Sequence, residues 1–135
     1  MPALLFLCTG NSARSPLAEA IAQHLSRDLD VWSAGARPTH VRPEVRAVLD
    51  EVGIAASGLR AKGMAEVPMD EVDVVISLCL EDICPVLPAG VQKLTWPLPD
   101  PASAPSDERL EAFRATRDEL LRRLPPLLKR LRGAA

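Results

Sequence analysis

A chain that runs from Ala3-Leu4-Leu5-Phe6-Leu7 through Cys8-Thr9-Gly10-Asn11-Ser12-Ala13-Arg14-Ser15 into Pro16-Leu17-Ala18-Glu19-Ala20-Ile21 has few ways to fold. The apolar run reads as a short strand buried on both faces, and Pro16 suits the first position of a helix, with Ser15 as the cap before it. The loop between them then gathers backbone N–H groups at a helix N-terminus. Such a place binds tetrahedral oxyanions, because the orphan donors and the positive end of the helix dipole point at the same centre. Gly10 and Asn11 tolerate positive φ, which lets successive N–H groups face inward, and the Ser12 and Ser15 hydroxyls are placed to donate in the same direction. Thr9 and Ala13 complete the loop, and Arg14 adds a permanently charged fork that matches an oxyanion. The field that holds an anion also favours a thiolate, so Cys8 at the mouth of the loop is the candidate nucleophile.

Beyond the loop, Leu17, Ile21 and Leu25 recur at helical spacing, predicting a helix that ends near Arg27-Asp28, with His24 as a partly buried helix residue. Leu29 to Ser33 reads as a second strand closed by an Ala34-Gly35 turn. Pro43 starts a second helix in which Val45, Val48, Leu49 and Val52 form one stripe, Gly53 is its stop, and the sheet is its packing partner. Ile54 to Pro68 is irregular. Val72 to Leu78 is a β-branched run suited to a buried parallel strand ending at Cys79, and Val91 to Trp96 suits an edge strand. Pro97, Pro99 and Pro101 force an extended path that presents Asp100 rigidly. Asp107, Glu108 and Glu111 open a final helix with Arg122, Arg123, Lys129 and Arg130 toward its end, and Pro125-Pro126 is expected to kink or break it.

Strands alternating with helices predict a three-layer α/β/α fold with a parallel sheet, in which the loops after the strands bring Cys8, Cys79 and Asp100 to one edge. With 135 residues and 47% hydrophobic content the chain suits a single domain spanning 1–135. A net charge of −2 and the absence of Tyr argue against nucleic acid as a partner. No segment suits a membrane span or a secretory leader, which points to the cytosol and, there, to three Cys that work as thiols rather than as a disulfide framework. Two of those Cys and two scattered His lack zinc spacing.

The segment from Cys8 to Glu19 resembles the active-site loop of the low-molecular-weight protein tyrosine phosphatase fold, and within it most resembles the thioredoxin-coupled arsenate reductases. The resemblance extends through Trp32-Ser33-Ala34-Gly35, Val74 to Cys79, Cys84-Pro85-Val86-Leu87-Pro88 and Trp96-Pro97-Leu98-Pro99-Asp100-Pro101. It implies a four-stranded parallel sheet and a reaction in which Cys8 attacks arsenate, Arg14 neutralises its charge, and Asp100 protonates the departing oxygen. Cys79 and then Cys84 would relay the oxidation to a disulfide reduced by thioredoxin. The alternative is a phosphatase using Cys8, Arg14 and Asp100 on phosphotyrosine, and a third reading is an oxyanion-binding module without turnover. Cys79, Cys84 and the lack of Tyr favour the reductase, as does Ala102, which stands where phosphatases of this fold commonly carry an aromatic residue. Members that rest on a disulfide inside the loop have Cys at the place of Ala13, so that route is closed. Arsenate is the expected substrate, with phosphate or sulfate as competing anions, and weak phosphatase side activity is expected of a monomer with no tightly bound cofactor. The resemblance also implies a potassium ion beneath the loop, held near Glu19 and Ser33 by an acidic residue for which this chain has Lys62, whose ammonium could substitute.

Overall fold

The computed structural model describes residues 3–8, 10, 13–35, 39–56, 58–78 and 90–133. Four parallel strands, β1 (Ala3–Cys8), β2 (Asp30–Gly35), β3 (Val74–Ser77) and β4 (Gln92–Thr95), form one sheet in the order β2-β1-β3-β4. The helices are α1 (Arg14–Leu25), α2 (Pro43–Asp50) and α3 (Arg109–Gly133). Being central, β1 is buried along its whole length, as a strand flanked by two neighbours must be.

Alternation along β1 divides the core. Leu4 and Phe6 join Val74 and Ile76 under the helices, against Leu17 and Ile21 of α1, Val45, Val48 and Leu49 of α2, and Phe113, Leu120, Leu124 and Leu128 of α3. Leu5 and Leu7 face the other way with Val75, Val67, Val72 and Ala34, and half-buried Trp32, Met64 and Met69 close that side. Two 3₁₀ turns, Met64–Glu66 and Met69–Glu71, cover this second face among the described residues. The expected four-stranded parallel sheet with flanking helices is thus present.

Several local expectations are corrected. Ser15 is not the cap: α1 starts at Arg14 after Ala13, and no side-chain cap bond is made there. The same helix stops at Leu25, short of Arg27, because Ser26 turns its hydroxyl onto the Asp28 carboxylate at 2.8 Å. His24 is exposed rather than partly buried. Ala34 and Gly35 extend β2 instead of turning, since they pair with Leu7 and Cys8. Gly53 at φ 72° does end the second helical stretch, but α2 itself closes at Asp50 and Val52 is left 40% exposed. That helix packs chiefly on α3 and α1 rather than on the sheet. Finally, α3 runs unbroken through Pro125 and Pro126. The two prolines leave the Leu121 and Arg122 carbonyls without their intrahelical donors; both prolines and Arg122 lie on the exposed side and Leu121 is half-buried. Leu124, Leu127 and Leu128 hold the opposite side in the core.

Candidate active site

β1 delivers Cys8 to the carboxyl edge of the sheet, and α1 begins six residues later with Arg14. Cys8 is 4% exposed, and its Sγ lies 2.8 Å from Ser15 Oγ. A hydroxyl at that distance can donate to the sulfur, and α1 starts with its N-terminus at the end of the loop that Cys8 opens. The loop is moored from outside as well, because the Thr39 N–H donates to the Gly10 carbonyl at 3.0 Å. Ala13, 2% exposed, closes the loop and accepts the Leu17 N–H at 3.1 Å. Thr9, Asn11 and Ser12 lie outside the described residues, as do Cys79 and Cys84.

Arg14 is 4% exposed, and among the described residues it has no carboxylate partner. Its Nη1 donates instead to the Leu98 carbonyl at 3.0 Å, which fixes the plane of the guanidinium and leaves its other N–H groups for a ligand. A buried cation left with a neutral acceptor is poised for an anion, since a charge out of water is costly until it is paired.

Asp100 stands two residues beyond Leu98, half-buried, as the cap of a 3₁₀ turn over Pro101–Ser103. Its Oδ1 accepts the Ala102 N–H at 3.0 Å, so one carboxyl oxygen is held and the other can carry a proton. Ala102 is a small, half-buried residue packed on the core, which leaves this rim without an aromatic wall. Trp96, the ring nearest in sequence, faces Arg123, whose guanidinium carbon sits 5.9 Å from the ring centroid. The geometry therefore brings Cys8, Ser15, Arg14 and the Asp100 segment to one edge of the sheet.

Beneath the loop, Glu19 lies one helical turn past Ser15. Its Oε1 accepts from Ser33 Oγ and from Lys62 Nζ, the latter at 3.4 Å, and all three residues are buried. Lys62 also gives its carbonyl to the Gly35 N–H at 3.0 Å, and Gly35 is the register partner of Cys8.

Sequence reasoning missed two contacts. The Arg14 to Leu98 bond spans 84 positions and carries no local signal. The clamp in which Glu51 accepts from Arg114 Nη2 and Arg117 Nη1, each at 2.6 Å, joins the end of α2 to α3. Two Arg three apart on one helix face were its available signal.

The chain is similar to known proteins over most of its length. An arsenate reductase of Halalkalibacterium halodurans is 34% identical over 126 residues, covering 90% of this chain and 91% of that protein. A solved structure described as an arsenate reductase in the phosphate binding state superposes with a TM-score of 0.82 at 33% identity, over 96% of this chain and 98% of that one. A thioredoxin-dependent arsenate reductase of Corynebacterium glutamicum gives a TM-score of 0.69 at 29% identity, over 92% of this chain and 62% of that one. The profile of the low molecular weight phosphotyrosine protein phosphatases matches residues 3–134, and the chain belongs to that family.

Proposed function

We propose that this protein is an arsenate reductase that uses Cys8 as nucleophile and passes the oxidation through Cys79 and Cys84 to thioredoxin in the cytosol. The observation that carries the reading is the pair formed by a Cys8 Sγ within 2.8 Å of Ser15 Oγ and a buried Arg14 held by a carbonyl rather than a carboxylate. Together they make a nucleophile and an anion receptor at the start of α1. The similarity to curated and solved arsenate reductases selects arsenate over other tetrahedral ions, and Ala102 offers no aromatic slot for phosphotyrosine.

The Cys8 thiolate attacks arsenic, Arg14 and the loop N–H groups balance the charge, and the oxygen that leaves takes a proton from Asp100 and departs as water. The Cys79 thiolate then attacks Cys8 Sγ. The sulfur–arsenic bond breaks with its electron pair staying on arsenic, which falls from the +5 to the +3 state and leaves as arsenite, and a Cys8–Cys79 disulfide remains. Attack by Cys84 on Cys79 frees Cys8 and leaves a Cys79–Cys84 disulfide for the dithiol of thioredoxin. Support for the relay comes from the sequence and from the thioredoxin-dependent neighbour.

The test is arsenate-dependent oxidation of NADPH with thioredoxin and its reductase, run beside hydrolysis of an aryl phosphate. The expected result is reduction that vanishes without thioredoxin, with only slow phosphate ester hydrolysis. Brisk hydrolysis with no arsenate-dependent oxidation would overturn the proposal in favour of a phosphatase.

A further inference from the structure

We propose that Lys62 is the built-in cation of this active site: its ammonium occupies the place beneath the anion loop where the fold's resemblance implies potassium, and the protein neither binds nor needs that ion there. This rests on the reading of the Cys8 loop as an anion receptor.

Glu19 sits in the helix that carries Arg14 and Ser15, and its carboxylate is buried. A buried carboxylate requires a counter-charge and donors. Both are supplied from within the chain: Ser33 Oγ from β2 and Lys62 Nζ reach the same oxygen, Oε1, while Gln23 Nε2 reaches Oε2 at 3.5 Å. The ammonium is itself steadied by the Arg60 carbonyl at 3.4 Å. A potassium ion on Glu19 Oε1 would have to stand beside a lysine that already touches that atom, two like charges sharing one buried carboxylate. Among the described residues no group of three or more His, Cys, Asp or Glu gathers to offset this. The residues therefore do not fit a second cation.

The placement also gives Lys62 a role beyond filling space. Its carbonyl takes the Gly35 N–H at 3.0 Å, and Gly63 pairs with Gly35, so the segment adds one parallel bridge to β2 opposite Cys8. The lysine backbone is thus fixed to the strand next to the nucleophile, and its side chain to the helix that begins the anion site. Lys62 acts through Glu19 and α1, as a positioning residue that also adds a unit positive charge under the loop.

The experiment uses the full chain at equal ionic strength in potassium chloride and in choline chloride. Thermal unfolding of the parent protein should have the same midpoint in both. In Lys62→Ala the midpoint should fall in choline and recover in potassium or methylammonium chloride, because a small cation can enter the vacated space beside Glu19. Protection of Cys8 from iodoacetamide by inorganic phosphate should need about tenfold more phosphate in choline than for the parent, the effect of one lost charge near a partly buried anion site. The double variant Glu19→Gln with Lys62→Met keeps the cluster neutral should the alanine variant not fold. It should show no potassium response and phosphate protection close to the parent's, because one positive and one negative charge are removed together. A parent midpoint that rises in potassium over choline, a Lys62→Ala variant protected in choline at the parent's phosphate concentration, or a double variant whose midpoint still rises in potassium, would overturn the proposal. If phosphate fails to protect Cys8 even in the parent, the anion-loop reading falls, while the salt comparison still decides whether Lys62 replaces the ion.

Discussion

Asp100→Asn isolates proton donation from architecture. In the parent, Asp100 Oδ1 accepts the Ala102 N–H at 3.0 Å and thereby caps the turn over Pro101–Ser103. An asparagine amide oxygen can accept the same bond, so the cap and the path of the segment should survive, with stability changed by less than about 0.5 kcal/mol. What it cannot do is carry a carboxylic proton to the departing oxygen. A positioned general acid typically contributes about 10² to 10⁴ in rate, which is about 2.7 to 5.5 kcal/mol of the barrier. Asp100→Ala adds the loss of the cap, about 1 kcal/mol, and so should lower stability as well as rate. Single-turnover arsenite release, with aryl phosphate hydrolysis as a second reporter, measures the step, and phosphate protection of Cys8 measures anion binding. The expected pattern is a hundredfold or greater loss in the first quantity with little change in the second. An asparagine variant within about threefold of the parent in both reporters would refute the assignment, for a general acid worth so little is not one.

In the relay, Cys84→Ser should release one equivalent of arsenite and stall as a Cys8–Cys79 disulfide, whereas Cys79→Ser should stall before arsenite leaves; mass mapping of non-reduced peptides after one turnover separates the two, and two fully active variants would make both thiols bystanders. Glu51 is held at about 2, against an ordinary value of 4.5, chiefly by hydrogen bonds from Arg114 and then from Arg117. The folded protein therefore binds this proton less readily than the unfolded chain, so the clamp stabilises above about pH 4.5 and its contribution is lost as pH falls toward about 2. Urea midpoints across that window should fall less steeply for Glu51→Gln than for the parent, and equal slopes would show that the clamp carries no pH-dependent stability.

Those features that depend on neighbours in sequence were readable from it. The strand-loop-helix order around Cys8 followed from an apolar run, small loop residues and Pro16, and the stop at Gly53 from a residue that can take positive φ. Features set by partners far along the chain were not. Ser15 looked like a cap because Ser before Pro usually is one, yet Cys8 lies near enough to claim its hydroxyl, and the helix begins two residues earlier than expected, at Arg14. Pro125-Pro126 looked like a break because proline removes donors, but the pair sits on the exposed side while the leucines beside it keep the helix on the core. Ala34 and Gly35 looked like a turn by composition, whereas β1 and the Lys62 segment pair with them from both sides and make them strand.

Backbone hydrogen bonds couple the Asp100 segment to Arg14. Pro97 and Pro99 carry no N–H, so in the stretch between them only Leu98 can donate, and its N–H goes to the Leu78 carbonyl at 3.0 Å. Trp96, just before, donates to Ser77 at 2.8 Å, so the chain leaving β4 remains zipped to the end of β3. Leu98 is 5% exposed with its side chain in the core, and its carbonyl is the one that Arg14 takes. One residue therefore fixes the Arg14 guanidinium and, two positions on, the approach of Asp100, the groups to which the proposed mechanism gives anion binding and proton donation. Prolines on both sides remove the alternative backbone donors that would let this segment re-pair elsewhere. A shift of the Leu98 carbonyl would reach both Arg14 and Asp100, so under the proposed mechanism anion receptor and acid would be displaced together.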